Sequence, residues 1–188
     1  MGIAIDLTKA REFAMRKHLC QLRKDCKTPY FTHLEQVVQR LERLGITNPD
    51  ILCAGWLHDT IEDTSTDYDD IYEKFGKKVV EIVVSVTKDT MLPKEKREEK
   101  YRLQLKNALL EAKVVKLGDI VANIADLENA KSYSKADKIS EVKKKMLYFN
   151  IIRPAIVSNK NKLPGLANIE KELNDLLVFY EQKKIILH

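Results

Sequence analysis

The stretch Gly55-Trp56-Leu57-His58-Asp59-Thr60-Ile61-Glu62-Asp63-Thr64 sets a His-Asp pair and an acidic pair close together in an otherwise apolar segment. Read as a helix, it puts Glu62 above His58 and Asp59, and Asp63 above Asp59, because residues three and four apart share a face. Ile51, Leu52, Ala54, Leu57 and Ile61 mark the side that goes to a core. A helix burying that side avoids unpaired carboxylates at its margin unless they neutralise, pair or bind a cation. Two readings are open for the segment alone: a hydrogen-bonded His-Asp pair with a solvated acidic helix end, or part of a metal centre.

The surrounding chain has 188 residues, 44% hydrophobic and 32% charged. That is long enough to bury a core and too apolar for a disordered protein. We expect a single domain over residues 1–188, with a catalytic core at about 7–130 and C-terminal helices at about 134–188. No apolar run is long enough to span a bilayer, so no membrane partner is expected. The start Met1-Gly2-Ile3-Ala4-Ile5-Asp6 lacks the basic and apolar regions of a signal peptide, which predicts a cytoplasmic protein. Cys20, Cys26 and Cys53 contain no Cys-x-x-Cys, which argues against a disulfide framework or a thiolate zinc site. The formal charge of +5 suits either nucleic acid or a pocket for a small polyanion. Its basic residues are interleaved with acids and carry no recognition motif, so DNA is not an expected partner.

Outward from the centre, helical spacing predominates. Asp6 or Thr8 can cap a first helix to about Leu22, with Phe13, Ala14 and Leu19 apolar. Thr32 and Glu35 fit a capping box that places His33 at the first helical residue. The second helix ends near Leu44 with Gly45 beyond it, and Asn48-Pro49 restarts the chain as N-cap and first helical residue. A short helix ends at Gly76. Residues 77–88 are rich in Val and Ile, yet Val79, Val80, Ile82, Val83 and Val86 follow helical spacing and no convincing partner strand exists. A helix rich in Lys and Glu opens at Lys94. It is either a solvated face or a source of phosphate ligands among Lys94, Lys96, Arg97 and Lys100. In the apolar run 114–127, Asp119, Asn123 and Asp126 recur on a face that would otherwise be buried, so they must line something that satisfies them. Ser134 and Asp137 suggest a capping box for a helix to about Ile152, which Arg153-Pro154 ends or kinks. Residues 159–164 read as a loop before a final amphipathic helix. The last thirty or so residues read as a packing or oligomerisation element, leaving a homo-oligomer open.

His33, His58, Asp59 and Asp119 together offer two imidazoles and two carboxylates from three helices. This donor set suits manganese, iron, cobalt, nickel or zinc better than calcium. Such an ion lowers the pKa of bound water and polarises a phosphoryl oxygen, as phosphate ester hydrolysis requires.

The ordered motifs Arg23-Lys24-Asp25, Thr28-Pro29-Tyr30 with His33, Leu57 to Thr64, Phe75-Gly76, Val86-Thr87-Lys88 and Lys116-Leu117-Gly118-Asp119 with Asn123 resemble the HD superfamily of metal-dependent phosphohydrolases. They are most similar to the hydrolase domain of RelA/SpoT-type alarmone enzymes, over about Ala10 to Leu127. The resemblance implies an all-α HD fold and metal-dependent removal of pyrophosphate from the 3′ position of guanosine tetraphosphate or pentaphosphate, with Mn2+ as the metal. It implies that Glu62 and Asp63 position and deprotonate the attacking water, Arg23 and Lys24 flank the guanine, and Asn123 contacts the nucleotide. Leu92-Pro93-Lys94 resembles the small hydrolase-only members, in which basic residues there approach the phosphates; Lys94, Lys96 and Arg97 are the candidates. Gly118, Ile120, Ala125 and Asp126 depart from the familiar pattern and bear on base or ribose specificity. The alternatives are an HD phosphohydrolase for the 2′-phosphate of NADPH, a nucleoside monophosphate or a pyrophosphorylated RNA end, and a non-catalytic alarmone-binding module.

Overall fold

The computed structural model describes residues 6–187. The reading of residues 1–5 as free of a signal peptide lies outside them. Helices account for the regular structure, and no strand occurs among the described residues; an isolated antiparallel bridge joins Leu22 and Pro29. The helices are α1 (Leu7–Lys17), α2 (Phe31–Arg43), α3 (Pro49–Leu57), α4 (Thr60–Asp63), α5 (Tyr68–Val86), α6 (Lys94–Asn107), α7 (Leu110–Asp126), α8 (Lys135–Ser158) and α9 (Leu166–Phe179). None is long and apolar enough to cross a membrane.

Helix α7 carries more buried residues than any other helix of the described residues and packs against α2, α3, α5, α8 and α9. Leu117, Ile120, Val121 and Ile124 are fully buried on it. The Val- and Ile-rich segment is helical as expected, since Val79, Val80 and Val83 all point into the core. Gly76, at φ 84° and ψ 172°, kinks α5 where the sequence predicts a break between two helices. The predicted caps at Asp6, Asn48 and Ser134 form.

Several expectations are corrected. Helix α1 ends at Lys17 rather than near Leu22, and Leu19 is 72% exposed, because residues 21–30 fold back on themselves through Arg23 N–H to Thr28 O and Tyr30 N–H to Gln21 O. Thr32 does not cap α2. Tyr30 occupies that position in helical geometry, the Thr32 hydroxyl donates to the Pro29 carbonyl, and Glu35 accepts from Arg11. The segment quoted first is not one helix, for α3 stops at Leu57 and α4 begins at Thr60, leaving His58 and Asp59 in the junction. Pro154 neither ends nor interrupts α8. The helix continues to Ser158 because Ile152 and Ile156 are fully buried on either side, while Asn150, whose carbonyl loses its usual donor, is exposed to water.

The C-terminal region packs tightly. Glu172 of α9 accepts from Arg40 at 2.6 Å and Arg43 at 2.8 Å, both on α2. Gly165 N–H donates to Leu44 O, and a Cβ on Gly165 would lie 1.8 Å from the Arg43 carbonyl oxygen. Beyond α9 the tail is tied back by Asn174 to Ile185 and by Glu170 to the Leu187 N–H.

Candidate metal centre and active site

Three elements bring the metal-competent groups together: α2 supplies His33, the α3–α4 junction supplies His58 and Asp59, and α7 supplies Asp119. His33 Nε2 lies 3.2 Å from Asp119 Oδ1 and 3.4 Å from Asp59 Oδ2. His58 Nε2 lies 3.1 Å from Asp59 Oδ2 and 3.6 Å from Asp119 Oδ1. Donor atoms of His33, His58 and Asp119 all fall within 4.8 Å of one another, and these three residues are buried.

The break after Leu57 makes this possible. It leaves the Gly55 carbonyl to accept from His58 Nδ1 at 2.9 Å, which fixes the ring with its Nε2 lone pair facing the carboxylates. That buried Nε2 has no hydrogen-bond partner. Gly55 itself is packed closely, since a Cβ there would meet Leu41 at 2.7 Å.

Electrostatics favour a cation. Burial opposes charge on His58, yet Asp59 and Asp119 raise its pKa to about 10. Burial would raise the Asp59 and Asp119 carboxyls, but His58 in the first case and Lys116 in the second hold them well below the usual range. The carboxylates therefore demand a positive partner, either a proton on imidazole or a metal ion. The oriented Nε2 lone pair and mixed N/O donors fit a divalent transition ion, whose binding displaces that proton.

The water-orienting candidates lie beside this group. Glu62 accepts from the Lys88 backbone N–H at 2.8 Å, and Asp63 Oδ2 lies 3.1 Å from the Tyr30 hydroxyl. Desolvation raises the pKa of both, with Asp59 adding to it, against opposing hydrogen bonds from Lys88 and Tyr30. Both shifts move the carboxyls toward the range of a general base.

Other expected residues are placed differently from one another. Asn123 Nδ2 donates to the Asp119 carbonyl at 3.0 Å and also contacts its carboxylate. Arg23 is buried and donates to Asp126 Oδ2 from Nε and Nη2, with its guanidinium 5.3 Å from the Tyr30 ring centroid. Asp126 thus has its partner within the protein. Lys24 Nζ lies 5.0 Å from the Tyr133 ring centroid. Arg97 is engaged in holding the 89–93 loop, donating to the carbonyls of Thr90 and Leu92, whereas Lys94 and Lys96 are exposed.

Sequence reasoning placed Lys88 and Lys116 in motifs without giving them a role and missed Lys145. Lys116 Nζ binds Asp119 Oδ2 at 2.6 Å, and Lys88 Nζ binds Glu98 at 3.2 Å. Both lie within 5.1–5.4 Å of the Tyr101 and Tyr148 ring centroids. Burial lowers the pKa of Lys145 on α8 to about 8, and Asp119, Lys116, Lys88 and Lys24 all act on it electrostatically. A lysine in the apolar run 114–127 was the available signal for Lys116; Lys145 is hidden in a Lys143-Lys144-Lys145 run that reads as a solvated face.

The HD domain family profile matches residues 10–148. The chain is an HD domain protein. Among curated relatives of this HD domain protein is a guanosine-3′,5′-bis(diphosphate) 3′-pyrophosphohydrolase, MESH1, of Xenopus tropicalis, 43% identical over 127 residues that cover 65% of this chain and 69% of that protein. The Homo sapiens MESH1 of the same description is 42% identical over 126 residues, covering 66% and 70%. An Aquifex aeolicus protein, also called a guanosine-3′,5′-bis(diphosphate) 3′-pyrophosphohydrolase, is 37% identical across 66% of this chain but only 18% of its own length. Among solved structures, that of a metazoan orthologue of SpoT, described as hydrolysing ppGpp, aligns with TM-score 0.74 and 26% identity over 94% of this chain and 96% of that one. Its match extends this HD domain's likeness through the C-terminal helices.

Proposed function

We propose that this HD domain protein is a metal-dependent guanosine-3′,5′-bis(diphosphate) 3′-pyrophosphohydrolase that converts (p)ppGpp to GDP or GTP and pyrophosphate. The observation that carries this reading is the meeting of His33, His58, Asp59 and Asp119 beside two carboxyls, Glu62 and Asp63, whose pKa values are raised. The names and structure of its relatives supply the substrate class.

In this reading His33, His58, Asp59 and Asp119 hold the metal, with Mn2+ as the choice. When bound, the ion supplies Lewis acidity toward a phosphoryl oxygen and lowers the pKa of water. Glu62 and Asp63 orient the attacking water and take one of its protons. Water oxygen adds to the phosphorus attached to the 3′-oxygen, that P–O bond breaks, and the 3′-oxygen leaves as a hydroxyl after gaining a proton. Lys88, Lys116 and Lys145 offset charge on the diphosphate as it separates, with Lys94 and Lys96 acting from the rim. Arg97 serves this end indirectly by holding the loop that leads into α6. Arg23, fixed by Asp126, and Lys24 flank the base, and Asn123 contacts the nucleotide. The chain works as one hydrolase unit in the cytoplasm, with α8 completing the wall of the site.

Metal-stripped protein incubated with guanosine tetraphosphate, with and without Mn2+, tests the reading by chromatography of products. GDP and pyrophosphate are expected only with metal. Turnover of NADPH, a nucleoside monophosphate or a pyrophosphorylated RNA end, but not of guanosine tetraphosphate, would replace the substrate. Binding without turnover of any would make this a non-catalytic module.

A further inference from the structure

A partly buried aromatic pair, His18 and Tyr30, beside the metal ligands has no part in that scheme. The Tyr30 hydroxyl lies 2.6 Å from Asp59 Oδ2 and 3.1 Å from Asp63 Oδ2. The His18 ring stacks on Tyr30, with centroids 4.9 Å apart and planes at 18°. His18 is 2% exposed, its Nδ1 pairs with Gln21 Oε1 at 2.7 Å, and Gln21 Nε2 donates to the Asp63 carbonyl at 2.8 Å. The Tyr30 backbone is fixed as well, its N–H donating to Gln21 O and its carbonyl accepting from His33 N–H. One unit of residues 18–33 therefore grips both the backbone and the side chain of Asp63 while touching the ligand Asp59.

A phenol has a single proton to donate, and here two carboxylates compete for it. The shorter contact is to Asp59. A cation on Asp59 draws electron density from that carboxylate and makes it the poorer acceptor, so the proton turns to Asp63.

From this geometry we propose that Tyr30, braced by His18 and Gln21, is a positioning residue that couples metal occupancy at Asp59 to the orientation of Asp63. The proposal rests on the assignment of Asp63 as a water-orienting group.

The test is Tyr30→Phe in the Mn2+-loaded protein, alone and combined with Asp63→Asn. Loss of one hydrogen bond to a charged group predicts a fall in kcat of about 10- to 100-fold, with KM and Mn2+ affinity changed by less than about threefold. In the Asp63→Asn background the same substitution should lower kcat by less than about twofold. A spectroscopic arm does not depend on turnover: Zn2+ added to metal-stripped protein should produce a tyrosine ultraviolet difference band that Tyr30→Phe abolishes. Equal losses in both backgrounds, or a difference band unchanged by Tyr30→Phe, would overturn the coupling. If Asp63→Asn alone leaves kcat intact, the role of Asp63 fails, and this proposal with it. Absence of any turnover by wild type removes the substrate assignment only, and the difference band still decides the coupling. Should Tyr30→Phe prove unfolded by circular dichroism, Gln21→Leu, which frees the Asp63 carbonyl but keeps the phenol, replaces it: a kcat loss confined to the Asp63 background supports the device, and no loss refutes it.

Discussion

Metal binding should be visible as thermal stability, and the size of the effect can be worked out. An ion that binds only the folded chain at one hundred times its dissociation constant stabilises by about 2.7 kcal/mol. For 188 residues, at roughly 2 cal/mol/K of unfolding entropy per residue, the entropy is about 0.4 kcal/mol/K, so the midpoint should rise by about 7 °C. Asp59→Asn removes a charged donor 3.1 Å from His58 Nε2 and 3.4 Å from His33 Nε2. With affinity weakened about 100-fold or more, the same metal concentration only half fills the site and the gain shrinks to about 0.4 kcal/mol, near 1 °C. Because Asp59 and Asp119 raise the His58 pKa, metal affinity should also rise with pH, as each binding event displaces the imidazole proton. The assay is differential scanning calorimetry of metal-stripped protein titrated with Mn2+ at two pH values. An equal shift in wild type and Asp59→Asn would place the bound ion elsewhere and refute the assignment.

Glu62→Gln keeps an acceptor for the Lys88 N–H and loses the charge. Turnover should fall about 10²- to 10⁴-fold with metal still bound, as measured by steady-state kinetics and metal analysis. Since the folded-state pKa of Glu62 is raised, its contribution to stability is present below the unfolded value and lost as pH rises through the folded one; the variant should therefore gain thermal stability over wild type above that window. Lys145 is charged below about pH 8 and neutral above it, so kcat/KM for an anionic substrate should decline as pH rises through about 8, and Lys145→Arg should remove that limb. Gly165→Ala should destabilise by at least about 1–3 kcal/mol, seen in urea unfolding, because its Cβ would strike the Arg43 carbonyl oxygen at 1.8 Å.

The clustering of His33, His58, Asp59 and Asp119 was legible because each lies in its own motif with a chemically distinctive side chain, and because Asp119 interrupts an apolar run. The helices were legible from spacing, including the Val-rich half of α5 that could pass for a strand. What escaped the sequence depends on tertiary contacts. Thr32 looks like a cap, yet Tyr30 is drawn into that position by its backbone pairing with Gln21. His58 and Asp59 look mid-helix, and the break there is stabilised by His58 Nδ1 donating to the Gly55 carbonyl and the Thr60 hydroxyl donating to the Leu57 carbonyl. Pro154 looks like a terminator, but the buried residues flanking it outweigh one missing hydrogen bond on an exposed side. Lys88, Lys116 and Lys145 come from three different helices or their ends, and no local pattern reports that they meet.

Helix α7 carries Lys116, Asp119, Asn123 and Asp126 in that order, and the last of these anchors Arg23. From Lys116 to Asp126 the axis advances about 15 Å, at roughly 1.5 Å per residue. One rigid rod thus sets the separation between Lys116, paired with Asp119, and the end where Arg23 is tethered. Inserting a single residue between Asp119 and Asp126 would swing the far end by about 100° and detach Arg23 while leaving His33, His58, Asp59 and Asp119 in register. The placement of Arg23 and the placement of the metal-competent cluster are therefore separable properties of the same helix.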